Sequence, residues 1–444
     1  MTGGTVVELK QGMKIRFHTI LIALVAAASC GLGVEARLAA QGTSATPNLP
    51  AVPFDYVGHA VDNLPEHYLS SAPFGDAGAS NNTPADNPIS NAGATLGRVL
   101  FFDKRLSIDN SISCATCHTQ ATGFGDPRRF SFGVNGAATP RHSMALTNAT
   151  FYFTGRFRWD ETAETLEDQC LIPIEAAGEM ALPLEQLRQR LADLDFYAPL
   201  FVDAFGDAEI TDQRIAQSMA QFVRSMVSYD SKYDRAFAAG DFGLPDFEAV
   251  FNESELIGRR LFERTAESVG CHQCHASPAQ IGDMPRNIGL DLETIDPGSG
   301  DGRFKVPSLR NVAVRGRFMH DGRFSTLAEV VGFYNSGIQS HPDLDANLFG
   351  SERLNLSEAE LQGLVDFLET LTDQQFLNSP MFSDPFAQFL LGDVNQDGVV
   401  DLIDVPAFID RLLSGLYQGE ADLNGDFVVN LLDVAPLVEL LIDL

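Results

Sequence analysis

Two short cysteine motifs constrain this chain more than anything else in it. Cys114-Ala-Thr-Cys117-His118 and Cys271-His272-Gln273-Cys274-His275 use four of the six cysteines. Composition alone would give about 0.002 occurrences of Cys-x-x-Cys-His in 444 residues, so two are not an accident. The spacing fits a covalent haem, with two thiols forming thioethers to its vinyl groups and the next histidine reaching the iron. A zinc site made from both pairs is the rival reading. It would have to bring together motifs more than 150 residues apart, and it leaves the two trailing histidines unexplained. The sequence therefore predicts two haem c groups, ligated by His118 and His275, with His272 as a spacer.

The surroundings of the motifs repeat. Leu96-Gly97-Arg98-Val99-Leu100-Phe101 precedes the first and Ile257-Gly258-Arg259-Arg260-Leu261-Phe262 precedes the second. Apolar residues at helical spacing predict a short helix in each, packed near its cysteines. Further helices are predicted at Leu184 to Leu191, Asp212 to Val227, Leu327 to Tyr334 and Ser357 to Leu371. No alternating strand pattern stands out, so the expected fold is mainly α: two cytochrome c-like haem domains at 41–245 and 246–390. Residues Gln41 to Pro88 are rich in Pro, Ser, Asn and Gly and predict irregular, wrapping chain.

A third, acidic segment follows at 391–444, where Gly392 to Leu444 holds 11 acids and a single arginine. Asp393, Asn395, Asp397, Asp401 and Asp404 fall at positions 1, 3, 5, 9 and 12 of a calcium loop, with Gly398 at the turn and the Val399 carbonyl at position 7. The pattern returns 29 residues later as Asp422, Asn424, Asp426, Val428, Asn430 and Asp433, but Phe427 stands where glycine is wanted. Up to two calcium ions are expected. The pair of loops, each followed by a helix, resembles a type I dockerin, which implies a cohesin-like partner met near Leu402-Ile403 and Leu431-Leu432. A calcium-stabilised cap with no partner is the plainer alternative.

Lys14 and Arg16 precede the apolar run Ile20 to Ala28 and small residues up to Ala40. That order reads as a secretory leader over 1–40, with Met13 a candidate start and cleavage after Ala36 or Ala40. The run is too short to span a membrane. Export to the periplasm or cell surface follows; a lipoprotein site at Cys30 competes, but alanine replaces the leucine usual three residues before it. Cys170 then has no exported partner and reads as a core thiol. With 30 basic and 60 acidic residues the net charge is −30, which excludes nucleic acid as a natural partner and favours a basic protein.

Between and around the haem motifs lie Arg141-His142-Ser143-Met144, Trp159-Asp160-Glu161, Gln169, Pro173, Glu179-Met180, Pro307-Ser-Leu-Arg310-Asn311 and Met319-His320-Asp321-Gly322. In this order they resemble the bacterial dihaem cytochrome c peroxidase and MauG family, over roughly two thirds of the chain. The resemblance implies that the first haem reacts with hydrogen peroxide and the second accepts electrons from a small redox protein such as cytochrome c. It puts Glu179 on the distal acid-base carboxylate, Gln169 on the neighbouring amide and Trp159 between the haems. A carboxylate in a dry pocket can carry a proton from the near to the far oxygen of peroxide, as heterolysis requires. Trp159 has a plainer reading as a core aromatic.

Two departures refine the picture. Some relatives close the first haem with a histidine after Ser-x-Gly; here Ser131-Phe132-Gly133 is followed by Val134, which implies an open face. At the second haem, Tyr334 stands where some relatives have a methionine ligand, and tyrosine there resembles MauG, a peroxide-dependent oxidase of another protein. Met284 and Met319 are the other candidate ligands. His142 replaces an asparagine that helps hold calcium between the haems in relatives, which puts that ion in doubt; His142 itself reads as a hydrogen-bonded structural residue. A dihaem electron carrier remains the non-enzymatic alternative.

Overall fold

The computed structural model describes residues 46–442 apart from 70–75, 242–243, 265–269, 349–353, 389 and 397–398. The expected leader, and the loop residues Asp397 and Gly398, lie outside the described residues. One compact unit spans 43–387 and another contains 388–444. Among the described residues the chain is mainly helical, β-structure being confined to isolated bridges.

Nine helices carry the argument: α1 (Asn91–Phe102), α2 (Leu166–Glu175), α3 (Leu184–Ala192), α4 (Asp212–Ser225), α5 (Glu253–Phe262), α6 (Leu327–Ser336), α7 (Glu358–Glu369), α8 (Asp404–Ser414) and α9 (Val434–Ile442). Their starts are written in the sequence. Ser90, Thr165, Thr211, Asn252, Thr326 and Ser357 each accept a hydrogen bond from the backbone three residues on, satisfying one of the free amides of a first turn. Ser357 is thus the cap of α7 and not its first residue. At the other end α4 stops at Ser225, two residues short of the expected Val227, where Met226 leaves helical geometry.

The sequence repeat is also a repeat of packing. In the first module α1 crosses α4 and α2 packs on α4; in the second, α5 crosses α7 and α6 packs on α7. The repeated glycine is the crossing point. A Cβ on Gly97 would lie 1.9 Å from the Ser218 carbonyl oxygen, and one on Gly258 would lie 1.8 Å from that of Gly363. Only a residue without a side chain lets these helix backbones approach so closely.

Residues late in the unit return to the first module. Phe376, Phe382 and Phe386 join the core formed by Leu96, Leu100, Phe101, Phe222 and their neighbours. Buried Arg98 donates through Nε to the Ser383 carbonyl at 2.7 Å, and the Tyr56 hydroxyl donates to that of Met381 at 3.0 Å. The second module has its own core, including Leu256, Leu261, Val331, Leu364 and Phe367.

In the unit containing 388–444, α8 and α9 each follow a loop and close on Val394, Phe408, Ala421, Val429 and Leu437. Phe427 holds a backbone φ of +65°, the left-handed region that glycine would occupy at low cost. Its ring stacks on Tyr417 at 6.3 Å.

Candidate functional site: two cavities with unlike walls

Each cysteine motif opens onto a cavity. The first, about 100 Å³, is lined by Cys114, Cys117 and His118 together with Gln169, Pro173 and Glu179. The second, about 230 Å³, is lined by Cys271, Cys274 and His275 with Trp159, Met319 and Tyr334. Residues 142–146 form a shared wall, Ser143 and Leu146 facing the first cavity and His142, Met144 and Ala145 the second.

At the first motif the His118 Nδ1 hydrogen-bonds the Phe124 carbonyl at 2.9 Å, which orients the ring. Burial lowers the pKa of this imidazole, favouring the neutral form a metal needs. His275 is likewise pushed down, to about 4, by burial. The Cys114 and Cys271 thiols are pushed up to about 12, in each case first by burial and then by the second thiol of the pair.

Glu179 reaches the first cavity on the loop that follows α2. Pro173, the eighth of the ten residues of α2, accepts from the Met180 amide at 3.1 Å, and Ile174 accepts from that of Leu182 at 2.7 Å, folding the loop back over the helix. Burial raises the Glu179 pKa and the nearby Arg158 opposes the rise. The Gln169 Oε1 is buried without a hydrogen-bond partner. Such an atom costs free energy unless something polar meets it, so it marks a place for a donor.

Trp159 lines the second cavity and not the first. Its indole N–H donates to the His142 carbonyl at 2.7 Å, and its ring stands edge-on to His320 at 6.5 Å. His320 in turn stacks on Phe304 at 3.6 Å. His142 is buried, its Nδ1 3.2 Å from the Arg129 carbonyl, and it also lines the second cavity. Tyr334 faces the second cavity from α6, and burial raises its phenol pKa. Met319 shares that wall, whereas Met284 is exposed and absent from it. Cys170 is buried in the core of the first module.

These walls fit haem. Each places a thiol pair beside a neutral imidazole in a largely apolar hollow. The second also holds Arg315 and Lys305, neither of which forms an ion pair among the described residues. Arg315 is lowered to about 10 and Lys305 to about 7, both by burial, with the Arg315 Nε left without a partner. The Lys305 ammonium donates to the Arg156 carbonyl at 3.0 Å and lies over the Tyr152 and Phe157 rings, so Arg315 is the buried cation that suits a carboxylate of haem. No cation lines the first cavity.

In the acidic segment the twelfth-position carboxylates are held by backbone amides. Asp404 accepts from the Asn395 and Asp401 amides, and Asp433 from those of Leu423, Asn424 and Asn430. Among the described residues no three acidic, histidine or cysteine side chains converge as a metal site.

Sequence reasoning missed three features: the partition at residues 142–146, the buried cations, and the equivalence of Pro173 and Tyr334. The last was detectable, because Thr165 and Thr326 each precede a ten-residue helix in which these residues are eighth.

Known proteins share this chain's sequence pattern and fold. Residues 91–241 match the family profile described as di-haem cytochrome c peroxidase, and 391–441 match the dockerin type I domain. The methylamine utilization protein MauG of Methylophilus methylotrophus is 33% identical over 294 residues, which cover 64% of this chain and 85% of that protein. Cytochrome c551 peroxidase of Nitrosomonas europaea is 32% identical, covering 64% and 80%. A solved MauG-like protein associated with microbial copper homeostasis superposes with a TM-score of 0.62 at 30% identity, over 73% of this chain and 98% of that one.

Proposed function

Because the chain belongs to the di-haem cytochrome c peroxidase and MauG family and ends in a type I dockerin domain, we propose that it is a dihaem peroxidase reducing hydrogen peroxide to water. The observation that carries this reading is the convergence of Glu179, Gln169, Cys114, Cys117 and His118 on one cavity. The reaction consumes two electrons and two protons per peroxide and releases two waters. When bound, the haems supply redox-active iron.

The protein's residues do the rest. Cys114 and Cys117 would hold the first haem with His118 as its iron ligand; Cys271, Cys274 and His275 would do the same for the second, with Tyr334 as a further candidate ligand on the same cavity. Glu179 takes a proton from the inner peroxide oxygen and returns it to the outer one, so that water leaves. Gln169 orients the peroxide with its unpartnered carbonyl oxygen, which can accept the O–H. Trp159, in the wall of the second cavity beside the 142–146 partition, links the two haems for electrons. A small redox protein, basic to complement the −30 chain, delivers them singly to the second haem.

A second reading has its own support. Tyr334 on the wall of the second cavity, together with relatives named MauG, favours peroxide-dependent oxidation of a protein substrate. Mixing purified holoprotein with peroxide and reduced cytochrome c in a stopped-flow spectrometer separates the two. Sustained peroxide consumption with cytochrome c oxidation is the expected result. Consumption only when a protein substrate is oxidised would support the MauG-like reading, and no reaction of either oxidised haem with peroxide would leave an electron carrier.

The chain works outside the cytoplasm, its dockerin domain binding calcium and docking to a cohesin-like partner. The boundary between the haem domains falls near residue 245. No helix among the described residues is long and apolar enough to cross a membrane.

A further inference from the structure

Of the residues that line the first cavity, Phe132 alone is exposed, at 47%. Its ring is therefore the solvent-side edge of a wall whose inner end carries Glu179. The loop bearing Phe132 is fixed to the loop bearing the acid. The Val134 amide donates to the Glu179 carbonyl at 2.9 Å, and the Asn135 side-chain amide donates to that of Ala177 at 3.1 Å. A Cβ on Gly133 would come within 2.0 Å of the Gly178 carbonyl oxygen, so the two backbones touch with no room for a side chain. The ring is steadied from outside. The Arg128 guanidinium lies 5.9 Å from its centroid, and Arg128 is held by the Asp126 carboxylate through bonds of 2.8 and 2.9 Å. Joined in this way, the two loops form one rim beside the cavity.

We propose that Phe132 is a specificity-determining residue, the rim that admits hydrogen peroxide to the Glu179 side of the first cavity and turns away alkyl hydroperoxides. The inference rests on the peroxidase reading and adds its substrate selection. Hydrogen peroxide needs room for two oxygen atoms; tert-butyl hydroperoxide brings four carbons through the same opening. Steric selection of this kind changes rate ratios by about tenfold or more.

The test uses holoprotein and two opposite variants, Phe132→Ala and Phe132→Trp, with two readouts. One is the ratio of turnover on hydrogen peroxide to turnover on tert-butyl hydroperoxide. The other needs no turnover: the rates at which cyanide and 4-phenylimidazole bind the oxidised protein, followed in the visible spectrum. The expected result is that Phe132→Ala lowers both small-to-large ratios about tenfold and Phe132→Trp raises them. Ratios unchanged in both variants would overturn the proposal, as would a Phe132→Ala protein whose altered resting spectrum shows that the ring only packs against haem. A wild-type chain that consumes no peroxide would remove the peroxidase reading, while the binding ratios would still decide the rim.

Discussion

Helices α2 and α6 begin alike, each behind a capping threonine, and each presents its eighth residue to a haem cavity. In α2 that residue is Pro173, which offers no group to a metal and is followed by the loop carrying Glu179. In α6 it is Tyr334, a phenol that can. Gln169 of the first helix corresponds to Val330 of the second. One packing plan thus carries an acid-bearing wall in one module and a phenol-bearing wall with buried Arg315 in the other.

The contrast can be broken most sharply at Glu179. Glu179→Gln should lower peroxide turnover by about 10² to 10⁴-fold in steady-state assays while both haems stay attached, as judged by the pyridine haemochrome spectrum. Loss of less than about tenfold would take proton transfer away from the first cavity.

The shared scaffold is tested at the paired glycines. Gly97→Ala and Gly258→Ala should each destabilise the holoprotein by about 1–3 kcal/mol in thermal unfolding, because each new Cβ meets a carbonyl oxygen across a helix crossing. If only one of them did so, the two modules would not be packed alike.

A gentler test is pH. Burial holds the Glu179 pKa above its ordinary 4.5, and the carboxylate is the form that accepts the peroxide proton. Turnover should therefore rise with pH through a midpoint above 4.5, and Glu179→Gln should remove that limb. The same shift makes the folded state hold its proton longer than the unfolded chain does. Its contribution to stability is present below 4.5 and is lost as pH rises through the raised value.

The smallest effect is expected in the dockerin domain. Phe427→Gly should relieve the left-handed backbone by about 1 kcal/mol and tighten calcium binding in the second loop, measurable by calorimetry on the full chain. Weaker binding would mean that the Phe427–Tyr417 stack holds the loop in place.

Much of this was legible in the sequence because local chemistry wrote it there. The cysteine motifs name their cofactor, capping residues mark where helices begin, and the Leu96–Phe101 and Ile257–Phe262 repeat announces two modules. Features that depend on contacts between distant segments were not. Nothing local says that the Gly97 carbon faces Ser218, that residues 142–146 divide two cavities, or that Trp159 borders the second one. Arg315 and Lys305 read as surface charges until burial is known.

The central claim is a division of labour between an open first site and a closed second one. Electron paramagnetic resonance of the oxidised holoprotein, before and after saturating cyanide, tests it directly. The expected result is two distinct ferric signals of which one is replaced by a cyanide-bound signal. Cyanide shifting both signals, or neither, would contradict the account.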